Sequence, residues 1–595
     1  MKKVILLVSR LDQEIALKRL RKMGVVHINI PQNIISEDIT HLEEILHQAE
    51  KALQLIPTVE EAEKPTKESA PDIIDNILEI EELQTVLNQR LAELNEMEAW
   101  YKQWGKISLE DVKNLEKSGL YLMLYSTSRT ALQEISEDAW VFEIGGDKHS
   151  VLLAFVTDDE KEKLPFKEEH LPTMEWKEIH EEHNETEKKL KTLSEKIYRY
   201  TGDVDKIKSY IKTVTKDLTL AKVRDSMAVE GPVILLQGFI PEDKSDVIKK
   251  GADKYGWGYV LDDPSEEDNP PTLVKTPKWV GVIKPIFDFM GTVPGYREYD
   301  ISLWFLIFFS LFFAMLIGDA GYGLLFIVLT ALARRKMKKA PPEPFRLMYL
   351  LGGATVVWGV ISGTWFGSEA FVTIPFFRKF IIPELSSFDL NNPSSFNDNQ
   401  TFMMSICFLI GAIHLTIAHL INAWKLQKSL NVFGQLGWVM IIWGIFFLAR
   451  QLVLNKPMPS ISLWILIVGF VLALFFSNTE KGIIKGALGS LGNLPLDIIS
   501  GFSDVVSYLR LFAVGYASIV VSYSFNHMAI GRGINNVLSG LIAAFILFFG
   551  HGLNIVLGAM SIIVHGIRLN MLEFSGHLGM EWAGIPYKPF SESES

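Results

Sequence analysis

Two arginines stand inside apolar stretches long enough to cross a bilayer. Arg510 lies about half-way along the run over 496–528, and Arg568 lies in the second half of the run over 536–572. An arginine at the centre of a membrane helix costs about 2.5–3.5 kcal/mol on insertion scales. Such residues either pair with a buried acid for packing alone or mark the path of an ion. Because two of them occur in consecutive segments, we favour the ion path.

Polar and small residues recur at intervals of three and four along the segment that carries Arg568. On a helix this spacing places them on one face. A polar face of this length in lipid must contact a protein partner or a water-filled path. Its members are His551, Asn554, Gly558, Ser561, His565 and Arg568.

The segment that carries Arg510 changes character at the arginine. Before it, acidic and hydroxyl residues follow the same spacing, and after it the helix turns to small residues that let another helix approach closely. The pattern predicts a wet half-path that begins at the cytoplasmic side and stops at Arg510. The polar residues are Asp497, Ser500, Asp504 and Ser507, and the small ones are Gly515, Ala517, Ser518 and Ser522.

A glycine-rich turn, Gly318–Gly323, joins the first two apolar segments and contains Asp319. Its glycines suit a tight structural turn, which is the interpretation we favour. The alternative places Asp319 beside a water-accessible vestibule on the outer side. His414 and His419 are five residues apart and share a helical face poorly, so we expect both to be packing residues.

Eight apolar segments predict eight transmembrane helices. The first two are short for a hydrocarbon core that usually takes about 20 residues. The basic loop over 334–346 is typical of the cytoplasmic side, so we expect a cell-membrane protein with both termini in the cytoplasm. The segments run approximately over 301–317, 321–334, 347–366, 401–423, 432–454, 461–477, 496–528 and 536–572.

The front half is dense in charged residues. The chain's net charge of −12 arises where Glu and Lys alternate along helices, which indicates solvated faces and no nucleic-acid partner. The one cysteine, Cys407, excludes an internal disulfide. Phosphate-binding loops, metal-ligand spacings and nucleophile motifs are all missing from the sequence, so we expect no catalysis, cofactor or metal.

Apolar residues at alternating intervals of three and four predict long helical arms in this half. The longest series, over 179–223, would form a rod of roughly 65 Å. Series over 39–56 and 73–94 are its expected partners. Short strand patterns around them, with a helix over 129–136, are typical of small α/β lobes.

The predicted fold class is therefore an α-helical polytopic membrane protein with about eight transmembrane helices. It carries an N-terminal cytoplasmic α/β two-lobed domain joined by an antiparallel coiled coil. The predicted parts are a cytoplasmic domain at 1–297 (lobes at about 1–36 and 101–170 plus 228–262, arms at about 38–100 and 176–226), a transmembrane domain at 298–580 and a cytoplasmic tail at 581–595.

With this architecture, the chain resembles the membrane-embedded stator subunit of V/A-type rotary ATPases, which is subunit a in eukaryotes and subunit I in bacteria and archaea. The resemblance spans essentially the whole chain, and the length suits the prokaryotic form. Any one motif alone would be weak, but their order behind a coiled-coil domain is specific. The motifs are Leu236–Pro241, Asn269–Thr272, Pro294–Asp300, Gly318–Gly323, Ser507–Leu511 and His565–Leu569.

The resemblance implies that Arg510 and Arg568 face a rotating ring whose carboxylate carries the ion. The guanidinium groups would favour the ionised carboxylate and drive the ion into the exit half-channel. An ion pair about 4 Å apart contributes ~4 kcal/mol at an effective dielectric of ~20, enough to shift a carboxylate pKa by more than one unit. Helix position suggests Asp497, Asp504 and Glu573 for the cytoplasmic half-channel and Asp319, His551 and Asn554 for the outer one, with Ser561 and His565 on the face between.

The family also implies partners. These are the rotor c/K ring, the peripheral-stalk E/G heterodimers that grip the two lobes, the central-stalk subunit d/C and the lipid bilayer. ATP would be handled by other subunits, so this chain would be a non-catalytic subunit that couples ATP hydrolysis or synthesis to H⁺ or Na⁺ movement.

Two positions depart from the better-known eukaryotic pattern. Ser518 stands where a histidine is usual, and Gly558 stands where an acid is usual. The choice between H⁺ and Na⁺ therefore stays open. The sequence also leaves the working direction and the number of stalks open. Two rivals also stay open. A secondary transporter would favour internal repeats with broken helices, and a membrane-anchored scaffold would need no intramembrane arginines.

Overall fold

The computed structural model describes residues 1–30, 34–59, 63–128, 139–146, 150–159, 161–390, 400–477, 479, 482–531, 533 and 536–591. The chain divides into two compact units. The front unit is Val4–Leu261 with Pro589–Ser595, and the membrane unit is Met1–Lys3 with Asp262–Lys588. The predicted boundary at 297 therefore lies inside the membrane unit. Buried Val282 and Ile283, which precede that boundary, share a core with Phe305.

The front unit contains two sheets and a set of long helices. Its elements are β1 (Lys2–Ser9), α1 (Gln13–Met23), β2 (His27–Ile28), α2 (Glu37–Leu55), α3 (Ala70–Trp104), α4 (Leu109–Lys117), β3 (Tyr121–Ser128), β4 (Val141–Gly146), β5 (Ser150–Thr157), β6 (Glu168–Glu169), α5 (Trp176–Arg199), α6 (Val204–Asp225), β7 (Ala228–Glu230), β8 (Val233–Ile240), α7 (Ser245–Tyr255) and β9 (Gly258–Asp262). The helix predicted over 129–136 lies outside the described residues.

Each sheet belongs to its own lobe. The first has the order β2-β8-β1-β9 with β7 beside β8, so strands from both ends of the front half pair together. In β1, alternate residues Val4, Leu6 and Val8 are buried, as period-two strands require, and they pack against α1 and α7. The second sheet has the order β4-β5-β3-β6.

The long helices pack as two antiparallel pairs, α2 with α6 and α3 with α5. Glu43 pairs with Lys222 in the first, and Arg90 pairs with Glu182 in the second. The predicted continuous rod over 179–223 is wrong in one respect, because a 3₁₀ turn at Tyr200–Asp203 separates α5 from α6. A Cβ at Gly202 would lie 2.1 Å from the carbonyl oxygen of Glu63, so only glycine lets that loop dock on the turn.

The membrane unit is almost entirely helical. Its helices are α8 (Lys284–Met290), α9 (Ser302–Ile317), α10 (Ala320–Lys336), α11 (Glu343–Ser362), α12 (Ala370–Thr373), α13 (Pro375–Arg378), α14 (Gln400–Lys425), α15 (Asn431–Leu454), α16 (Ser460–Phe476), α17 (Ile483–Ser507), α18 (Leu509–Ile530), α19 (Val537–Ser561) and α20 (Ser575–Leu578).

All eight predicted apolar segments fall on helices, but length and composition support fewer crossings. Within the described residues, five helices are long and apolar enough to span a membrane. They are α11, α14, α15, Ile484–Ile530 and Val537–Leu578. Helices α9 and α10 form one pair bent by 117°, and α16 is a shorter apolar helix. A count of eight crossings therefore stays a prediction.

The segment predicted as a cytoplasmic tail is packed as far as it is described. In the membrane unit, Ala583 and Pro586 form parallel bridges with Val293 and Thr272. In the front unit, the Phe590 side chain is only 8% exposed and lies in the core of the first lobe. Its backbone N–H donates to the carbonyl of Val26 at 2.8 Å. Residues 592–595 of the predicted tail lie outside the described residues.

Candidate ion-translocation site

Arg510 lies just after a break in a long helix. Helix α17 ends at Ser507, Tyr508 follows, and α18 begins at Leu509. The Arg510 Nε donates to the Ser507 carbonyl at 3.0 Å. The guanidinium therefore supplies a hydrogen-bond donor to a backbone oxygen at the break. The arginine is therefore held by the backbone as well as by its charge partner.

Tyr508 fixes the position of this break. It is fully buried, and its hydroxyl is hydrogen-bonded to the His414 Nδ1 at 2.9 Å. Close approach of the tyrosine ring requires Gly411, where a Cβ would lie 2.6 Å from the ring. His414 itself is stacked between Phe308 and Phe574, with ring centroids 3.8 and 4.2 Å away. The prediction that His414 is a packing residue is confirmed.

Arg568 lies between two π-helical turns, Ile562–Gly566 and Leu569–Phe574. A π turn bonds residue i to i+5 and so rotates less per residue than an α-helix. The face predicted from α-helical spacing therefore does not continue past Ser561. Asn554 and Gly558 are buried, whereas the Arg568 side chain is 52% exposed. This corrects the prediction of one continuous polar face.

Both arginines converge on Glu573. Arg510 Nη2 lies 2.8 Å from the Glu573 Oε1, and Arg568 Nε lies 3.7 Å from the same oxygen. The glutamate is 4% exposed and Arg510 is 25% exposed. The second oxygen, Oε2, is buried without a hydrogen-bond partner among the described residues. Two cations around one carboxylate leave an excess positive charge on a half-open face.

A chain of hydrogen bonds runs from Asp504 into the interior of the membrane unit. His577 Nε2 lies 3.1 Å from the Asp504 Oδ2, and His577 Nδ1 lies 2.9 Å from the His419 Nε2. His419 Nδ1 is in turn 2.8 Å from the Gln435 Oε1. Sequence reasoning missed His577 and Gln435, and it described His419 as packing only. The position of His577, four residues after Glu573, was the available signal.

A second polar cluster, the Tyr322 cluster, centres on the Tyr322 hydroxyl. This oxygen lies 2.6 Å from the His551 Nδ1, 2.8 Å from the Ser522 Oγ and 3.2 Å from the Asn554 Nδ2. The other ring nitrogen of His551 is 3.0 Å from the Asn526 Oδ1. The sequence-predicted residues His551 and Asn554 are thus brought together, by a tyrosine that the sequence analysis placed only within a turn.

Asp319 adjoins this cluster but has a different set of partners. Its carboxylate accepts from the backbone N–H groups of Gly321 and Tyr322, which caps α10. It also accepts from the N–H groups of Phe366 and Gly367 at 2.8 Å each. These four bonds are those of a structural turn, the interpretation favoured from the sequence. Because they fix the turn that contains Tyr322, these bonds also position the central hydroxyl of the Tyr322 cluster.

The remaining sequence-predicted residues lie apart from the two clusters. Asp497 is exposed on α17, and no ion pair involves it within the described part of the chain. Ser561 and His565 are half-buried on the stretch of the last helix between Asn554 and Arg568. Among the described residues, no group of three or more His, Cys, Asp or Glu is placed to hold a metal ion.

The last helix exposes apolar side chains before Arg568, and α18 exposes small residues after Arg510. Such side chains suit contact with lipid or with an apolar helix. These residues are Leu553, Val556, Leu557, Met560, Ile563 and Val564, with Ala513 and Ala517.

Comparison with known proteins identifies the family. The V-type ATPase 116kDa subunit family matches residues 155–348. The V-type ATP synthase subunit I of Borreliella burgdorferi is 31% identical over 622 residues, which cover 100% of this chain and 99% of that protein. The V-type ATP synthase subunit I 1 of Treponema pallidum is 30% identical, with the same coverage. The chain belongs to the V/A-type ATPase subunit I family.

More distant members and one solved structure also match. The A-type ATP synthase subunit I of Methanocaldococcus jannaschii is 26% identical over 379 residues, covering 59% of this chain and 53% of that protein. A crystal structure of the cytoplasmic N-terminal domain of subunit I, homolog of subunit a, of V-ATPase covers 44% of this chain at 15% identity, with a TM-score of 0.25. Subunit I is a non-catalytic membrane subunit of the rotary ATPase, and it belongs to a complex with rotor and stalk subunits.

Proposed function

We propose that this subunit I is the static membrane subunit of the Vo sector and provides two ion half-channels against the rotating c/K ring. The observation that carries the proposal is the convergence of Arg510 and Arg568 on Glu573 at a half-open, apolar face. A ring helix fits such a face, because its own surface is apolar except for the ion-carrying carboxylate.

Glu573 sets the charge that the ring carboxylate meets. It compensates one of the two arginines and leaves the other positive charge available, with Arg568 the more exposed. A ring carboxylate about 4 Å from that guanidinium gains ~4 kcal/mol at an effective dielectric of ~20. The ionised carboxylate is favoured, and its ion is released. The arginines also separate the two half-channels, which prevents a direct leak.

The cytoplasmic half-channel follows the hydrogen-bonded series of side chains from Gln435 through His419 and His577 to Asp504. It ends beside Glu573, which is four residues before His577. Asp497, two turns before Asp504 on α17, lies toward the entrance. Groups of this kind, alternately able to donate and accept, pass protons or order water near a charged centre.

The outer half-channel follows Asn526, His551, Tyr322 and Asn554, which are linked by hydrogen bonds. Asp319 fixes the turn that positions Tyr322. Ser561 and His565, which lie between Asn554 and Arg568 along the last helix, are the candidates for the inner end of this half-channel, although the π turn takes His565 off the face of Asn554.

The front unit serves as the attachment for the stalks. Its antiparallel helix pairs form a coiled coil that resists torque, the peripheral-stalk E/G heterodimers bind its lobes, and subunit d/C contacts it from the central stalk. The basic loop over 334–346 supports a cell-membrane location with the N-terminal domain and the C-terminus in the cytoplasm. The complex couples ATP hydrolysis or synthesis to H⁺ or Na⁺ translocation.

The test is ion pumping by the assembled complex in sealed vesicles with Arg510→Gln. We expect pumping to be lost while the subunits still co-purify. Arg335→Gln, which removes a charge of the same kind from the exposed end of α10, is the matched control and should pump normally. Unchanged pumping by Arg510→Gln would overturn the role of this arginine.

The same vesicles separate the rival functions. A secondary transporter would move ions with this chain reconstituted alone, whereas the stator is inert without the ring. A scaffold would lose neither pumping nor assembly in the Arg510→Gln complex.

A further inference from the structure

An open groove of roughly 650 Å³ lies on the membrane unit, and neither Arg510 nor Arg568 lines it. Its floor is apolar, and its rim carries two basic side chains. Helices α9 and α11 supply the floor, and the segment before α8 closes one end. The lining residues are Lys278, Trp279, Val282, Leu306, Ile307, Ser310, Arg346 and Leu350.

The two basic residues have no anionic partner in the described part of the chain. Lys278 and Arg346 are both exposed, and neither takes part in an ion pair or a side-chain hydrogen bond there. Two uncompensated cations on an apolar groove indicate a ligand that is anionic at one end and apolar at the other.

The segment beside the groove has the features of a chain at the membrane surface. Val282 and Ile283 are buried in the core that includes α9. On the other side, Trp279 is 62% exposed and Phe289 is 71% exposed. Tryptophan is enriched where the hydrocarbon meets the headgroups. We therefore expect Lys278, which precedes Trp279, to lie at headgroup level.

The groove runs from this level along the helices. Arg346 and Leu350 are four residues apart and share one face of α11, with the arginine in the first turn. Ile307 and Leu350 are 47% and 43% exposed, which is the apolar surface that an acyl chain would cover.

We propose that this groove binds an anionic phospholipid. The phosphate lies between Lys278 and Arg346, and an acyl chain lies along Ile307 and Leu350. A zwitterionic lipid fits less well because the ammonium of its headgroup would repel the same two residues. Basic pockets between membrane helices on the cytoplasmic side bind anionic headgroups in this way. The lipid would fix the segment before α8 to the bilayer, a role separate from ion translocation.

The test uses the assembled complex in phosphatidylcholine vesicles that contain a photo-activatable phosphatidylglycerol. After illumination, labelled peptides of this chain are identified by mass spectrometry. We expect label on peptides that contain Ile307 and Leu350. The double variant Lys278→Gln/Arg346→Gln should lower this labelling roughly ten-fold, because each basic residue near an anionic lipid contributes a few-fold. Lys338→Gln/Lys339→Gln removes two charges from the nearby basic loop and should leave labelling unchanged.

A second variant keeps the charges and fills the groove. Leu350→Trp should also lower the labelling, and 10-fold excess inorganic phosphate over the probe should not. The proposal is overturned if the loop variant loses as much label as the groove variant, or if a photo-activatable phosphatidylcholine labels the same peptides equally. The proposal is also overturned if inorganic phosphate lowers the labelling. The same holds if another subunit covers these peptides, so that the lipid probe does not label them.

Discussion

The chain contains the same arginine–glutamate pair in two environments. In the front unit, Arg90 donates to both oxygens of Glu182, at 2.8 and 3.1 Å, and each side chain is 35% exposed. In the membrane unit, Arg510 reaches one oxygen of Glu573 at 2.8 Å, and the glutamate is 4% exposed. The front pair has two hydrogen bonds and the membrane pair has one, but the glutamate of the membrane pair is much more deeply buried.

This difference in burial determines how much each ion pair contributes to stability. Water can replace either partner of the front pair, so an exposed pair contributes about 0–1 kcal/mol. Glu573 is 4% exposed, and its loss leaves two guanidinium groups that pair with no other acid among the described residues. The membrane pair also has supports that the front pair lacks, namely the break at Tyr508 and the two π turns. The predictions below test this contrast.

The largest effect is expected from Glu573→Gln. This variant leaves both arginines without their shared carboxylate, so the free energy of unfolding of the membrane unit should fall by about 3–5 kcal/mol. Thermal unfolding of the full chain in nanodiscs measures it. Adding Arg510→Gln removes one of the two cations, and the double variant should recover part of the loss. If the two losses simply add, the residues are not coupled.

The next effect is expected from Gly411→Ala, which tests the support under the membrane pair. The added Cβ would lie 2.6 Å from the Tyr508 ring, so the helix break must shift. Overpacking of this kind costs about 1–3 kcal/mol. Pumping by the complex should fall with stability, because Arg510 moves with Tyr508. Gly353→Ala, where nothing lies within 4 Å of the added carbon, is the control and should be near neutral.

An effect of intermediate size on stability is expected at Asp203, a buried acid in the front unit. Burial alone would raise the pKa of Asp203, but hydrogen bonds from Thr66 and the pair with Lys206 outweigh it and lower the pKa. Because the folded pKa is below the unfolded one, the contribution is complete above about pH 4 and is lost as the pH falls through the folded pKa.

Asp203→Asn should therefore destabilise the helix pairs by about 1 kcal/mol at pH 7. The difference from the parent chain should shrink at pH 3. Circular dichroism melts of the full chain at the two pH values measure both. A difference that is the same at pH 3 would show that the charge of Asp203 plays no part.

The smallest effect is expected from Arg90→Gln. The exposed pair should contribute about 0.2–1 kcal/mol and less at high salt, because solvent ions screen it. Thermal unfolding at low and at high salt checks this. A loss as large as that of Glu573→Gln would remove the contrast between the two environments.

Much of the site could be predicted because its residues are unusual where they stand. Arg510 and Arg568 are recognisable from hydropathy alone, and His551 and Asn554 follow from helical spacing. The helices that carry them also follow from apolar runs. The bond between Asp319 and the α10 N-terminus is of the same local kind, since a capping residue precedes the turn that it caps.

The rest depends on contacts that a single sequence does not encode in its spacing. His419 and His577 are 158 residues apart, and nothing in either segment points to the other. The π turns around Arg568 change the helical repeat on which the prediction of one polar face was based. Phe590 joins a core whose other members all come from the front half of the chain, and the residues beside it in sequence do not indicate that contact.

Phe590 has one more consequence, for the number of times the chain crosses the membrane. It lies in the core that Val4 and Leu17 build, so the segments before and after the membrane helices emerge on the same side. The number of crossings must then be even. Within the described residues, five helices are long and apolar enough to cross, so the bent pair and α16 must together supply an odd number of crossings. The pair crosses twice and α16 also crosses, or the pair crosses once and α16 does not, or the pair is re-entrant and α16 alone crosses.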